Sequence, residues 1–312
     1  MEVWPQRGAL GQRIRICDIE GDWNFKHEDL PRITHLGGDL LGGGWKDHGT
    51  AVLGEMVGKR GRSGVVGISH RARAYVHSAV INGLWNTAGA IMAAAKRLRA
   101  GDVILIELQG TGPNGKYVAM QYWDDVFSAI RVATKKGITV VEAAGNGDEN
   151  FDLAVFNGTG LQKDSGAIVV GAGIPPTNFF GNYGADWGFA SYETIGVPRS
   201  RIWFSNYGKI VNVQGWGWHV TTCGYGDAQG GNDENRWYTH RFSGTSSASP
   251  IVTGAVACLQ GHAKATNGAP LSPAKARSIL MRTGTSQAAG PGVPVSQRIG
   301  PLPNLGKALA MV

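Results

Sequence analysis

The chain has 312 residues, of which 42 % are hydrophobic and 17 % are charged, so it can bury a full core and is not a disordered protein. Glycine is abundant, at 48 residues, but without a collagen-like period and with only 13 prolines, which favours a loop-rich globular protein. The net charge of +7 comes from scattered cations and no DNA- or RNA-binding motif accompanies them, so we predict no nucleic-acid partner.

Short apolar runs alternate with helical patterns along the chain, which is typical of a parallel sheet covered on both faces. We predict two central helices and a third that Ser272 caps, with Pro273 in its first turn. The segment 174–240 is expected to form loops and short strands. The predicted strands are residues 13–17, 73–80, 102–108, 138–144 and 166–172, and the two central helices are residues 87–100 and 117–137.

The chain shows neither an apolar stretch long enough to cross a bilayer nor a signal peptide, so we expect no membrane partner. Its cysteines, Cys17, Cys223 and Cys258, contain no CxxC pair, which excludes a dense disulfide framework and a cysteine-rich zinc site. At most one disulfide could form.

Three polar side chains stand where chemistry is expected in an open parallel sheet, beyond the carboxyl ends of strands or at the start of a helix. Asp18 follows the strand RIRIC, His48 lies in HGTAVLGEM, and Ser246 lies in SGTSSASP before an apolar helix. A carboxylate, a base and a nucleophile are the parts of acyl-transfer catalysis.

In this order and context the sequence resembles the subtilisin-like serine proteases, or subtilases. A further match is AAGNG after the strand ITVV, which places Asn146 at the family's oxyanion-hole amide. The resemblance implies a three-layer α/β fold, with a mostly parallel central sheet flanked by helices, and a single catalytic domain over residues 1–312 without propeptide or signal peptide. It implies a monomeric serine endopeptidase with a protein or peptide substrate and no cofactor for the chemistry.

The resemblance also assigns roles to these residues. His48 takes the Ser246 proton, Asp18 orients the imidazole, and the oxyanion receives the Asn146 side chain and the Ser246 N–H. An extended peptide would bind along Gln109, Gly110 and Thr111, with Ala143, Ala144 and Gly145 as the facing wall of the first pocket. One hypothesis is that Glu107 or Glu142, in the strands before these walls, selects a basic substrate residue; the alternative is that both point elsewhere.

The loop after His48 departs from the family. It reads VGKRGRSGVVG, and its cations would repel a divalent ion, so we predict no calcium there and a capping or ion-pair role for Asp29. No metal ligand is assigned, while acids elsewhere leave a structural calcium open.

Two other functions stay open: a subtilase-fold processing enzyme or macrocyclase, with residues 215–240 as a candidate cover, and a catalytically silent peptide-binding module. The family resemblance implies secretion, whereas the chain begins without an export signal, so action inside the cell is also open.

Overall fold

A computed structural model describes residues 3–176 and 196–312 of the chain. Its centre is a sheet of seven parallel strands in the order β11, β10, β9, β6, β1, β3, β2. The strands are β1 (Arg15–Glu20), β2 (Thr34–His35), β3 (Arg73–Ser78), β6 (Val103–Ile106), β9 (Thr139–Ala143), β10 (Ile168–Gly173) and β11 (Val213–Trp216). The predicted three-layer fold with a parallel sheet is confirmed.

Three antiparallel two-stranded sheets extend from this centre. They pair β4 (Val80–Ile81) with β5 (Leu84–Trp85), β7 (Gln109–Thr111) with β8 (Tyr117–Ala119), and β12 (Val220–Cys223) with β13 (Tyr238–Phe242). For the segment 174–240 we expected loops and short strands; it contains β11, β12 and the start of β13. Residues 177–195 of this segment lie outside the described residues.

Helices cover both faces of the seven-stranded sheet. They are α1 (Gly43–Val57), α2 (Thr87–Arg97), α3 (Asp124–Lys135), α4 (Thr245–Thr266), α5 (Pro273–Thr283) and α6 (Leu305–Leu309). The Ser272 hydroxyl accepts a hydrogen bond from Lys275 N at the start of α5, which confirms that cap. None of the helices in the described part of the chain is long and apolar enough to cross a membrane.

Alternation along β1 assigns its side chains to the two layers. Ile16 packs into the core beneath α1 and α4, whereas Cys17 and Ile19 pack beneath α2 and α3. Asp18 and Glu20, which alternate with them, therefore face the α1 layer. Cys17 and the other two cysteines are free and buried.

Candidate active site

His48 lies in the second turn of α1, at the carboxyl end of β1. Its Nδ1 is 2.6 Å from Oε2 of Glu20, whose side chain is fully buried while that of His48 is 23 % exposed. The Phe242 ring packs edge-on against the imidazole at a centroid distance of 5.4 Å. The backbone N–H of Gly21 donates to the other Glu20 oxygen at 3.0 Å. The imidazole is thus held by a carboxylate that is itself fixed.

The predicted contact between Asp18 and His48 is wrong in this structure. Oδ2 of Asp18 accepts a hydrogen bond from Nε1 of Trp23 at 2.8 Å, and its Oδ1 has no hydrogen-bond partner. The physical reason is the length of β1, which runs three residues beyond the predicted end at Cys17. This places Glu20 at the end of the strand and leaves Asp18 deeper on the same face.

Burial shifts the pKa of the Asp18 carboxyl. Desolvation raises the pKa of this carboxyl well above its usual range, and the nearby charge of Glu20 raises the pKa further, against the opposing effect of the Trp23 hydrogen bond. Burial therefore favours the protonated form of Asp18, which lies behind the His48–Glu20 pair.

Ser246 lies in the first turn of α4 and is half-buried. The turn into this helix passes through Gly244 at φ 98°, a left-handed conformation that glycine adopts without strain. Ser243, just before the turn, lines a small cleft together with His48 and Tyr225. In this first turn Ser247 N donates to Gly244 O, whereas the N–H of Ser246, the second residue of α4, precedes the first intrahelical acceptor.

Asn146 lies next to this turn. Its Oδ1 accepts hydrogen bonds from the backbone N–H and the hydroxyl of Thr245, at 2.9 and 3.0 Å. Its backbone N–H donates to Oε1 of Gln109 at 2.7 Å. Because the side-chain carbonyl is engaged, the Asn146 amide nitrogen is the atom free to donate to a ligand.

The buried Asn206 braces the loop that carries Asn146. Its Oδ1 accepts from the N–H groups of Gly147 and Glu149, and its Nδ2 donates to the carbonyls of Tyr117 and Ala144. The loop is thereby tied both to β9, which precedes it, and to the β7–β8 hairpin. The sequence analysis did not single out Asn206.

The predicted pocket walls lie close together. Gln109, Gly110 and Thr111 form β7, and Gln109 reaches the Asn146 backbone as described above. Ala143 is the last residue of β9, Ala144 N donates to Val170 O, and Gly145 N donates to the Thr245 hydroxyl. Ala143, Ala144 and Gly145 are buried, so the edge of β7 is the accessible part of these walls.

An aromatic cleft of about 540 Å³ continues from β7. Trp45, Trp85 and Trp123 line it together with Gln109 and Gly110. The rings of Trp45 and Trp85 lie 5.3 Å apart, and Trp123 occupies the space where a side chain at position 110 would lie. Gly110 is therefore required for this packing. The sequence analysis did not assign these tryptophans.

The two buried glutamates point away from the pocket walls, so the hypothesis that they select a basic residue is wrong. Both carboxyl oxygens of Glu107 lie within hydrogen-bond distance of the Ser249 hydroxyl, at 2.9 and 2.7 Å, and Glu142 accepts a hydrogen bond from Gln121 N at 2.6 Å. Desolvation raises the pKa of Glu107 well above its usual range and that of Glu142 to about 8. Both acids are structural parts of the core.

Asp29 caps the cationic loop after α1. Its Oδ2 accepts from Val65 N at 2.6 Å, and its backbone carbonyl accepts from Lys59 N at 2.7 Å. A capping role was one of the two expected for Asp29. The Asp29 carboxylate is thus engaged by the backbone, and the loop that it contacts carries Lys59, Arg60 and Arg62; that this loop binds no calcium ion stays a prediction. In the described part of the chain, no group of three or more His, Cys, Asp or Glu side chains could hold a metal ion.

Glu20 is the main functional candidate that the sequence analysis missed. The signal was the alternation in CDIEG, where the acid nearest the turn at Gly21 is Glu20 and not Asp18.

Residues 37–300 match the model of the subtilase family, peptidase S8, and the chain belongs to this family.

The chain is similar to two fungal proteins named subtilisin-like protease 2. It is 30 % identical to the protein of Arthroderma benhamiae over 263 residues. This match covers 82 % of this chain and 50 % of that protein. The protein of Trichophyton rubrum is likewise 30 % identical, with 82 % and 49 % covered. The chain thus spans about half the length of the curated relatives it matches.

Solved structures share the fold at lower identity. A protease from Pseudoalteromonas arctica PAMC 21717 superposes with a TM-score of 0.68 at 20 % identity, covering 99 % of this chain and 92 % of that one. The patellamide maturation protease PatA gives 0.67 at 18 % identity, covering 96 % and 97 %. The prenylagaramide maturation protease PagA gives 0.66 at 18 % identity, covering 99 % and 95 %.

Proposed function

We propose that the protein is a serine endopeptidase in which Ser246 is the nucleophile, His48 the general base and Glu20 the acid that orients the imidazole. The observation that carries this proposal is the 2.6 Å contact between Nδ1 of His48 and Oε2 of Glu20. With Nδ1 donating to a buried carboxylate, Nε2 is the nitrogen left to accept a proton from the nucleophile. Glu20 therefore takes the role that the sequence assigned to Asp18.

In the acylation step, Oγ of Ser246 attacks the scissile carbonyl carbon while its proton moves to Nε2 of His48. The negative carboxylate of Glu20 stabilises the imidazolium that forms. The carbon–nitrogen bond then breaks, and the same proton passes to the departing amine. Water repeats the sequence on the acyl-enzyme, giving a carboxylic acid and the free serine.

Two donors are available for the negative oxygen of the tetrahedral intermediate: the Asn146 amide nitrogen and the backbone N–H of Ser246. Asn146 supports this role because Thr245 holds its carbonyl oxygen, which fixes the direction of its N–H bonds before substrate arrives. Donors that need no reorientation are the effective ones in such a site.

We propose that a peptide substrate adds to the edge of β7 over Gln109–Thr111. Within the described residues β7 pairs only with β8, so its other edge can accept an extended chain. The cleft of Trp45, Trp85 and Trp123 beside this edge would take a large apolar side chain from the acyl part of the substrate.

A fluorophosphonate probe tests the nucleophile, because it reacts only with an activated serine. We expect labelling of the wild-type protein at Ser246, confirmed by mass spectrometry of the labelled peptide. The Ser246→Ala variant should neither label nor cleave peptides. Ser243→Ala is the matched control, because Ser243 lies in the cleft beside His48 but donates to Arg241 O. An unlabelled wild-type protein would support a silent binding module instead.

Product masses test the reaction type. Hydrolysis adds one water across the cleaved bond, whereas a macrocyclase gives a cyclic product free of that water. We expect only the hydrolysed products.

A further inference from the structure

The edge of the sheet opposite the active site carries an unbalanced positive charge. We call it the basal edge and define it as residues 7–15, 59–73, 96–102, 135–139 and Lys264. It contains the amino ends of β1, β3 and β9, the residues just before β6, and the last residues of α2 and α3. In a parallel sheet these ends all lie at one edge, away from Glu20 and Asn146 at the carboxyl ends.

The first cations of the basal edge lie side by side. Arg15 and Arg73 are register partners in β1 and β3, and Arg71 N donates to Leu10 O. Arg71 and Arg73 are exposed. The starts of these two strands and the segment before β1 thus form one continuous cationic surface.

The surface continues across β6 and β9. The Arg15 guanidinium donates to Arg97 O at 3.0 Å, which brings the end of α2 to the start of β1. Gly101 N donates to Gly137 O at 2.8 Å, which brings the end of α3 beside it. The exposed cations contributed here are Lys96, Arg97, Arg99, Lys135 and Lys136.

The cationic loop after α1 joins the same surface from the other side of the sheet. The Arg60 guanidinium lies over the Trp4 ring, 6.0 Å from its centroid, and Nε1 of Trp4 donates to Ile68 O at 3.1 Å. Lys59, Arg60 and Arg62 are exposed in this loop.

Carboxylates do not balance this charge. Asp102 is the only acid in the basal edge; its side chain is 1 % exposed and pairs with Arg15 at 2.7 Å and Lys264 at 3.9 Å. Beyond the edge, Asp164 accepts two bonds of 2.6 Å from Arg277 and is already paired. The basal edge therefore presents many exposed cations and no exposed carboxylate among its residues.

The layout of these cations indicates the kind of partner. They come from helices on one face of the sheet, from the loop on the other face and from the strand starts between, so they spread in two dimensions. Arg7, Arg13 and Lys264 also line a cleft of about 510 Å³ that could receive an anionic group. A plane of phosphates matches this spread, whereas a single nucleic-acid strand is bound along a groove with stacked aromatic rings.

We infer that the basal edge is a docking surface for a bilayer containing anionic phospholipids. The contact is peripheral and electrostatic, so it needs no membrane-spanning segment. The expectation of no membrane partner rested on the lack of such a segment and does not bear on a peripheral contact. Docking in this way would point the carboxyl ends of the strands, and with them His48 and Ser246, away from the lipid.

Vesicle co-sedimentation tests the inference with the full chain, independently of peptidase activity. We expect binding to phosphatidylcholine vesicles that contain phosphatidylglycerol, little binding to phosphatidylcholine alone, and a decline with added salt. Each basic residue near a bilayer contributes about fivefold in affinity, so Arg71→Glu with Arg73→Glu should weaken binding about 25-fold or more. Lys135→Glu with Lys136→Glu should do the same.

The control is Lys116→Glu, an exposed cation in the turn between β7 and β8, which follow the carboxyl end of β6. It should bind vesicles as the wild type does, and all variants should keep the wild-type melting temperature and fluorophosphonate labelling. The inference is overturned by a wild type that fails to bind anionic vesicles at low salt, or by a control that weakens binding as much as the basal variants. Tighter binding of an RNA duplex than of vesicles at equal salt would also overturn it.

Discussion

Oε2 of Glu20 lies 2.6 Å from Nδ1 of His48, whereas Asp18, two residues earlier in the same strand, accepts a hydrogen bond from Trp23. The two acids lie on one face of the strand but have different partners. Glu20 contacts His48, whereas Asp18 is fully buried and contacts Trp23. The longer glutamate side chain starts from the last residue of β1 and reaches the α1 layer there.

The two acids should respond differently to neutralisation. Glu20→Gln removes the charge that stabilises the imidazolium, and the loss of such an acid costs about 10⁴ in kcat in another serine protease. Asp18 does not contact His48, and burial raises the pKa of its carboxyl and so favours the neutral form, so Asp18→Asn should retain most activity. Steady-state kinetics on a peptide substrate checks this, with melting curves to show that both variants fold. A larger loss in Asp18→Asn than in Glu20→Gln would return the role to Asp18.

Asn146→Ala should slow turnover without preventing binding. Removal of one oxyanion donor costs about 10² to 10³ in kcat, a figure measured for the corresponding residue of subtilisin. KM should stay near the wild-type value, because the donor acts on charge that appears only in the transition state. An Asn146→Ala variant with wild-type kcat would remove this residue from the site.

The aromatic cleft should determine which side chain the enzyme prefers in the acyl part of the substrate. Trp85 is 56 % exposed and faces Trp45, so Trp85→Ala opens one side of the cleft. For peptides with a large apolar side chain there, we expect KM to rise about tenfold, since covering such a side chain is worth about 1.5 to 3 kcal/mol. Trp203→Ala is the control, because Trp203 is 65 % exposed and does not line that cleft. A peptide library would show equal profiles for both variants if the cleft binds no substrate.

Stability should fall as pH rises from about 4.5 to about 8. Burial raises the pKa of Glu142 from 4.5 to about 8, so within this window the folded chain keeps a proton that the unfolded chain has released. The stability that this group contributes is complete below about 4.5 and is lost as pH approaches 8. The buried acids Asp18, Glu55 and Glu107 shift in the same direction.

Glu142→Gln keeps the acceptor for Gln121 N and cannot ionise, so its melting temperature should vary less with pH than that of the wild type. The exposed Asp124→Asn is the control and should leave the slope unchanged. Parallel curves for Glu142→Gln and wild type would show that this group does not couple folding to pH.

Chelation should leave the loop after α1 intact. Because Asp29 already accepts from Val65 N, we expect EDTA not to change the melting temperature. Asp29→Ala should cost about 1 kcal/mol, the usual net contribution of one such hydrogen bond. A calcium-dependent rise in melting temperature that Asp29→Ala abolishes would contradict both expectations.

The parallel sheet could be predicted because its strands are near-continuous apolar runs, buried on both faces. The predicted helix 117–137 failed at its start, since Tyr117–Ala119 pairs as β8 with Gln109–Thr111, and such pairing depends on a distant partner and not on local pattern. The same limit explains why Asp18 was expected at the end of β1. The run RIRIC located this strand, but the strand ends at Glu20 because it pairs with β3 up to Ser78. Ser246, His48 and Asn146 could be singled out as candidates because their neighbours form specific motifs.

The hydrogen bonds around Asn146 also affect the chemical stability of this side chain. An asparagine followed by glycine ages by attack of the glycine nitrogen on the side-chain carbonyl, which converts the amide to a carboxylate. Here Gly147 N is committed to Asn206 and the Asn146 carbonyl to Thr245, so neither reacting group is free while the chain is folded. Loss of the amide is then coupled to local unfolding, and the working lifetime of the site is set by how often this loop opens.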